Sequence, residues 1–141
     1  MNIGAAARAS GLPAKTIRYY EEIGLIRPAG RSGGNYRVYG EHEVETLRFI
    51  RRARSLGFSV EEVTELLDLW RDRSRSSRRV KALAKRHLAD IDGKIAALKT
   101  MRDTLDELVE RCHGDSRPDC PILADLAGYD DAGDEDRQKS D

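Results

Sequence analysis

The sequence predicts a mainly α-helical fold: a small helical N-terminal domain, a short linker, and one long helix that ends in a loop. Three observations predict it. Short helical segments separated by glycines fill the first seventy residues, a proline-free run from 77 to 112 carries a single apolar stripe, and two cysteines frame a turn-rich loop just beyond that run. A chain of 141 residues with 39% hydrophobic and 35% charged residues suits one modest core with much solvated helix surface.

From the N-terminus, residues 3–10 read as a short helix, Gly11 as a turn, and residues 13–23 as a second helix opened by Pro13, which needs no N–H in a first turn. Gly24 stops that helix. Residues 25–39 then place Gly30, Gly33 and Gly34 among short apolar and aromatic segments, as a small two-stranded wing would. A third helix is expected over 41–56, burying Val44, Leu47 and Ile50. After Gly57, Ser59 and Glu62 form a capping box ahead of Val60, Val63, Leu67 and Trp70, which share one face of a fourth helix ending near residue 71. Residues 1–70 are therefore read as a winged helix-turn-helix domain, and the basic, serine-rich residues 71–76 as a solvated linker with an N-cap near Ser76.

The run 77–112 would make a helix of roughly 54 Å at about 1.5 Å per residue, too long for a small core. Along it Ala84, Leu88, Ile91, Ile95, Leu98, Arg102, Leu105, Val109 and Cys112 alternate steps of four and three, a coiled-coil seam with Arg102 as its strongly polar member. Such a stripe needs a partner, and a homodimer is the economical one. Residues 112–129 then read as a loop, Cys112 to Cys120, followed by two helical turns over 121–127 with Ile122, Leu123 and Leu126 facing inward. The acidic residues 130–141 read as a disordered tail with no assigned function.

The formal net charge is zero, but residues 1–60 hold 10 basic and 5 acidic side chains, residues 61–111 hold 12 and 11, and residues 112–141 hold 3 and 9. The basic excess lies on the helix-turn-helix half, which suits a polyanion such as DNA. No apolar stretch approaches the roughly 20 residues needed to cross a bilayer, and Arg8 interrupts the alanines that might have formed a signal-peptide core, so a cytoplasmic protein is expected. In that reducing compartment two cysteines eight positions apart read as thiols or metal ligands rather than a structural disulfide. No nucleophile with a local base, phosphate-cradling glycine loop or paired-carboxylate motif is evident, so no enzyme is expected.

On the second helix, Thr16-Ile-Arg-Tyr-Tyr-Glu-Glu-Ile-Gly-Leu-Ile26 offers cationic and hydroxyl donors that can enter a major groove. Lys15 and Arg18 could reach phosphates or guanine edges, and Arg31, Tyr36 and Arg37 on the wing could grip the flanking backbone. One of Tyr19 and Tyr20 is also open to a role as a core aromatic.

TIRYYEEIGLI, followed by GGNYRVY and LRFIRRARSLGFSVEEV, closely resembles the DNA-binding half of MerR-family transcriptional regulators, and the long helix and cysteine loop extend the resemblance to about Leu126. It implies a long antiparallel coiled-coil dimerisation helix, a C-terminal metal-binding loop, and a homodimer that distorts promoter DNA to align it for RNA polymerase. It also implies that Lys15, Arg18, Tyr20, Arg31, Tyr36 and Arg37 contact DNA. Cys-x7-Cys followed by Pro-Ile is similar to the copper-responsive CueR/HmrR type, which implies Cys112 and Cys120 as ligands for Cu(I), with Ag(I) or Au(I) as further candidates.

The chemistry of the residues agrees: soft monovalent ions accept two thiolates, Zn(II) prefers four ligands, and two cysteines cannot hold an all-cysteine iron–sulfur cluster. His113 is an additional candidate ligand, whereas His42 and His87 read as structural. Residues 77 and 112 are symmetric about a point near Lys94 and Ile95, so an antiparallel pair would bring Ser77 of one copy near Cys112 of the other. The serine there resembles the monovalent-metal branch. Lys81, one turn further on, would offset the net −1 of a bis-thiolate holding one monovalent ion. Two other functions remain open at this point: a regulator answering a drug or oxidant through a redox pair, and a copper buffer or chaperone using the same thiolates.

Overall fold

The computed structural model describes residues 1–28, 30–31 and 37–129, with residues 31 and 37 as backbone only. The chain divides into two compact units, Met1–His87 and Leu88–Asp141. In the first, helices α1 (Ile3–Ser10), α2 (Ala14–Glu22), α3 (Glu41–Ser55) and α4 (Val60–Arg71) surround one core. An antiparallel ribbon of β1 (Gly30–Arg31) and β2 (Arg37–Val38) pairs Gly30 with Val38 and Arg31 with Arg37. Helix α5 (Ser77–Arg111) begins in this unit and runs into the second, which ends with α6 (Pro121–Leu126). The fold is mainly helical, as the periodicity predicts, and Leu83 at 2% exposure explains why the first unit includes the early turns of α5. Among the described residues no helix is long and apolar enough to cross a membrane.

Local chemistry sets the ends of these helices. The Asn2 side chain accepts from the Ala5 N–H at 2.9 Å and starts α1. The Ser59–Glu62 capping box forms as its spacing predicts, with the Glu62 N–H donating to Ser59 Oγ at 3.1 Å and the Ser59 N–H donating to Glu62 Oε1 at 2.9 Å. The Ser59 backbone N–H on the Glu62 carboxylate holds that carboxyl below its ordinary value. At the end of α3, Gly57 adopts φ +90°, and the Phe58 N–H reaches back to Ala53 O at 3.2 Å, a Schellman closure. A Cβ at Gly57 would lie 3.3 Å from Nε2 of His87, so glycine is required both by the left-handed backbone and by the close approach.

His87 itself is 6% exposed, sits with Nε2 2.8 Å from Leu56 O, and stacks on Phe58 at 4.1 Å. It fastens the first turns of α5 to the α3–α4 corner. Trp70 departs from expectation. It is 40% exposed and lies flat on Phe49 at 4.4 Å, while Leu69, 5% exposed, fills the inward position. The indole covers a neighbour with one face and leaves the other to solvent, as large amphipathic rings do at a core margin.

The wing is tied to α2 by a buried polar contact. Tyr39, 1% exposed, donates its hydroxyl to Oε1 of Glu21, 7% exposed, at 3.0 Å. A hydrogen bond to a charged group contributes roughly 1.5–3 kcal/mol. Tyr39→Phe should therefore lower the urea midpoint by an amount corresponding to about 2 kcal/mol. An unchanged midpoint would show that this bond adds nothing to stability.

In the second unit the predicted seam lies open on the single chain: Leu88, Ile95, Leu98, Leu105 and Val109 are all between 52% and 61% exposed. On α6, Leu123 and Leu126 were expected to face inward, but they are 64% and 74% exposed, and only Ile122 is partly covered. A six-residue helix buries one narrow face, and Pro121 already occupies it.

Candidate metal loop and nucleic-acid interface

Helix α2 sorts its side chains by helical phase. Ile17 and Tyr20, three apart, are buried, and Glu21 beside them is buried as well. Lys15, Arg18, Tyr19 and Glu22, also spaced by three and four, face solvent. Tyr20, for which the resemblance implies a DNA contact, is 6% exposed and a member of the core, while Tyr19 is 50% exposed on the face shared with Lys15 and Arg18. The two rings lie 5.8 Å apart, so the buried one braces the exposed one. Arg31 and Arg37 are direct partners in the β1–β2 register, and Tyr36 lies outside the described residues.

The cysteines terminate two helices. Cys112 is the residue after α5, its N–H donating to Leu108 O and Val109 O, both at 3.1 Å. Cys120 is the N-cap of α6, held extended at φ −144° and followed by Pro121 at the first helical position. Between them Gly114 adopts φ +66°, and Asp115 accepts from the Arg117 N–H and from Arg117 Nε, each at 2.9 Å, which folds the loop on itself. Past α6, Gly128 at φ +87° lets the Tyr129 N–H reach Ala124 O at 2.7 Å and closes the helix.

The two sulfurs lie 3.9 Å apart, each partly buried, and neither is in a disulfide. That separation far exceeds the roughly 2.05 Å of an S–S bond. With metal–sulfur bonds of about 2.3 Å, one ion reaches two sulfurs up to about 4.6 Å apart, so the pair fits a shared ion, and full linearity needs only a small further opening. Among the described residues no histidine, cysteine, aspartate or glutamate completes a three-donor cluster with the two thiols within 4.8 Å. His113, next to Cys112, is exposed. The donor set that this loop offers is thus two soft sulfurs, which excludes a four-ligand zinc centre built from the loop alone. Ser77 and Lys81, four apart on α5, are both exposed.

The family model described as "MerR HTH family regulatory protein" matches residues 1–70, and "MerR, DNA binding" matches residues 44–108. The chain is 60% identical over 127 residues, covering 90% of it and 86% of the relative, to the HTH-type transcriptional regulator HmrR of Sinorhizobium medicae. It is 43% identical over 128 residues, covering 91% of it and 93% of the relative, to the HTH-type transcriptional regulator CueR of Salmonella typhimurium. Among solved structures, the transcription regulator PbrR691 of Ralstonia metallidurans in complex with lead(II) superposes with a TM-score of 0.77 at 32% identity, covering 89% of this chain and 98% of that one.

Proposed function

The chain belongs to the MerR family of helix-turn-helix transcription regulators, which are not enzymes, and on that premise we propose that it is a metal-responsive regulator that binds promoter DNA as a homodimer in the cytoplasm and activates transcription when Cys112 and Cys120 hold one monovalent coinage-metal ion. Cu(I) is the first candidate, with Ag(I) and Au(I) beside it. The carrying observation is the pair of partly buried thiols 3.9 Å apart. Two thiolates satisfy a soft monovalent ion and leave a divalent ion short of ligands.

The remaining roles rest on exposure and charge for the α2 and α5 side chains and on the sequence for the wing. Lys15, Arg18 and Tyr19 on α2, with Arg31, Tyr36 and Arg37 on the wing, form the DNA surface, while Tyr20 supports it from the core. The open seam of α5 takes a second copy, because a stripe of half-exposed aliphatic residues along several turns is not left in water. In an antiparallel pair, Ser77 and Lys81 of one copy flank Cys112 of the other. Lys81 offsets the net −1 of the loaded site, and Ser77 withholds a third thiolate. Loading shifts the twist of promoter DNA already bound by the dimer, which brings the promoter elements into line for RNA polymerase. The targets on this reading are genes for efflux or detoxification of the same ions.

A promoter-reporter assay across Cu(I), Ag(I), Au(I), Zn(II) and Hg(II) tests the proposal. Induction by the three monovalent ions alone is expected, and induction by Zn(II) or by peroxide without metal would overturn it. In the same assay Ser77→Cys should admit a Zn(II) or Hg(II) response, and Lys81→Met should weaken the monovalent response without disturbing dimerisation. Unchanged metal choice in the first variant would remove the selectivity role of Ser77, and unchanged Cu(I) sensitivity in the second would remove the electrostatic role of Lys81.

A further inference from the structure

Residues 71–79, Arg-Asp-Arg-Ser-Arg-Ser-Ser-Arg-Arg, hold five arginines and one aspartate between α4 and the first turn of α5. A solvated connector needs no such density of guanidinium groups. Arg71, Arg73, Arg78 and Arg79 are exposed and Arg75 is partly buried, and among the described residues none of the five has an ion-pair partner. The single carboxylate of the run is shared: Asp72 Oδ1 accepts from the Ser74 hydroxyl at 2.6 Å and from the Ser74 N–H at 2.9 Å, and its charge also acts on Arg75 and Arg79.

The start of this run is placed by the fold. Arg71 lines a cleft of about 450 Å³ together with Arg27, Pro28 and His42, the residues at the foot of the wing, with Glu43 as its acidic member. Oε2 of Glu43 accepts from the Gly40 N–H at 3.1 Å, so part of its charge is committed to starting α3. Among the described residues, Arg27 at the foot of the wing and Arg71 at the start of the linker thus bring two guanidinium groups to one cleft.

We propose that Arg71, Arg73 and Arg75, with Arg27 across the cleft, form a second backbone-contacting surface that grips DNA phosphates beside those held by α2 and the wing. This rests on the DNA-binding reading above. Arginine and serine alternating on a short segment supply planar and hydroxyl donors suited to phosphate oxygens, and contacts of this kind position a protein on the duplex without reading sequence. The acidic cysteine loop of a second copy is the competing partner, and it offers less charge: both carboxylate oxygens of Asp115 accept from Arg117 of the same loop, which leaves Asp119 as its other exposed carboxylate.

The test is the salt dependence of operator binding by the full-length protein, with the slope of log K against log salt measured for the parent, for the triple Arg71→Gln, Arg73→Gln, Arg75→Gln variant, and for the same triple to lysine. Each phosphate contact contributes about 0.9 to that slope, so losing at least two should make the glutamine triple shallower by about 2. The lysine triple should keep nearly the parent slope, and metal binding should be the same in all three. A parent slope in the glutamine triple would overturn the proposal, and a parent slope joined to an altered metal response would assign the linker to the partner's cysteine loop instead. Equal loss in both triples with a lowered melting midpoint would assign the effect to folding, and overturn it too. Failure of the DNA-binding reading itself would look different: the parent would show no preference for operator over unrelated DNA, and Arg18→Ala would change nothing.

Discussion

Cys112→Ser and Cys120→Ser should each abolish metal-dependent activation while leaving operator occupancy intact. A hydroxyl keeps the size and much of the polarity of the thiol but is a poor ligand for a soft monovalent ion, and one remaining sulfur cannot hold that ion against cellular thiols. The loop's other supports, the Asp115–Arg117 pair and the cap of α6, do not involve the sulfurs, so the fold around the site should persist. The proposed DNA surface on α2 and the wing lies in the first unit, away from the cysteines in sequence, so repression should survive. Reporter induction and a mobility-shift assay on the same variants give the result. Copper induction retained by either serine variant would remove the two-thiolate site.

Glutamate at two seam positions, Ile95→Glu with Leu98→Glu, should convert the protein to monomer and collapse operator affinity. These residues are 58% and 61% exposed on the single chain, so the substitutions cost the isolated fold little. In a dimer each copy would lose two buried aliphatic side chains at roughly 1.5–3 kcal/mol apiece, about 6–12 kcal/mol across both, and would bring like charges together near the centre of the pair. That loss is comparable to the whole free energy of a nanomolar association, about 12 kcal/mol. Sedimentation equilibrium reads the outcome directly, and a variant still dimeric at micromolar concentration would show that the seam is not the interface.

The helices were legible because each carries its own punctuation. Pro13, Gly24, Gly57 and the Ser59–Glu62 box fix ends by local chemistry, and those ends lie within a residue or two of the predicted ones. The linker and the continuous α5 followed from the absence of breakers. Face assignments were less secure where a large side chain could sit at a margin. Trp70 lies at the core margin rather than inside it because periodicity gives the direction of a face and not its depth. Leu123 and Leu126 were misjudged for a different reason: a two-turn helix beside a cysteine loop has little surface of its own to bury against. The thiol pair could be read from spacing, but its closeness could not. The cleft joining Arg71 to Arg27 was invisible in the sequence, since it arises from the packing of α4 against residues more than forty positions earlier.

The Cys112–Cys120 contact has a consequence for how the ion is captured. Bringing together the ends of a flexible segment of eight residues costs about 2 kcal/mol in loop-closure entropy, beyond a constant, and the cost grows only by about 0.6 kcal/mol for each doubling of length. Here the ends of α5 and α6 set the two sulfurs 3.9 Å apart, so at the proposed site the folding of these helices would meet most of that cost. If the proposed site holds the ion, ordering of the chain would contribute little to its affinity. Thermal loosening of the loop should then erode that affinity only as far as it frays those two helix ends, and the stability of the last turn of α5 would set the threshold of the response.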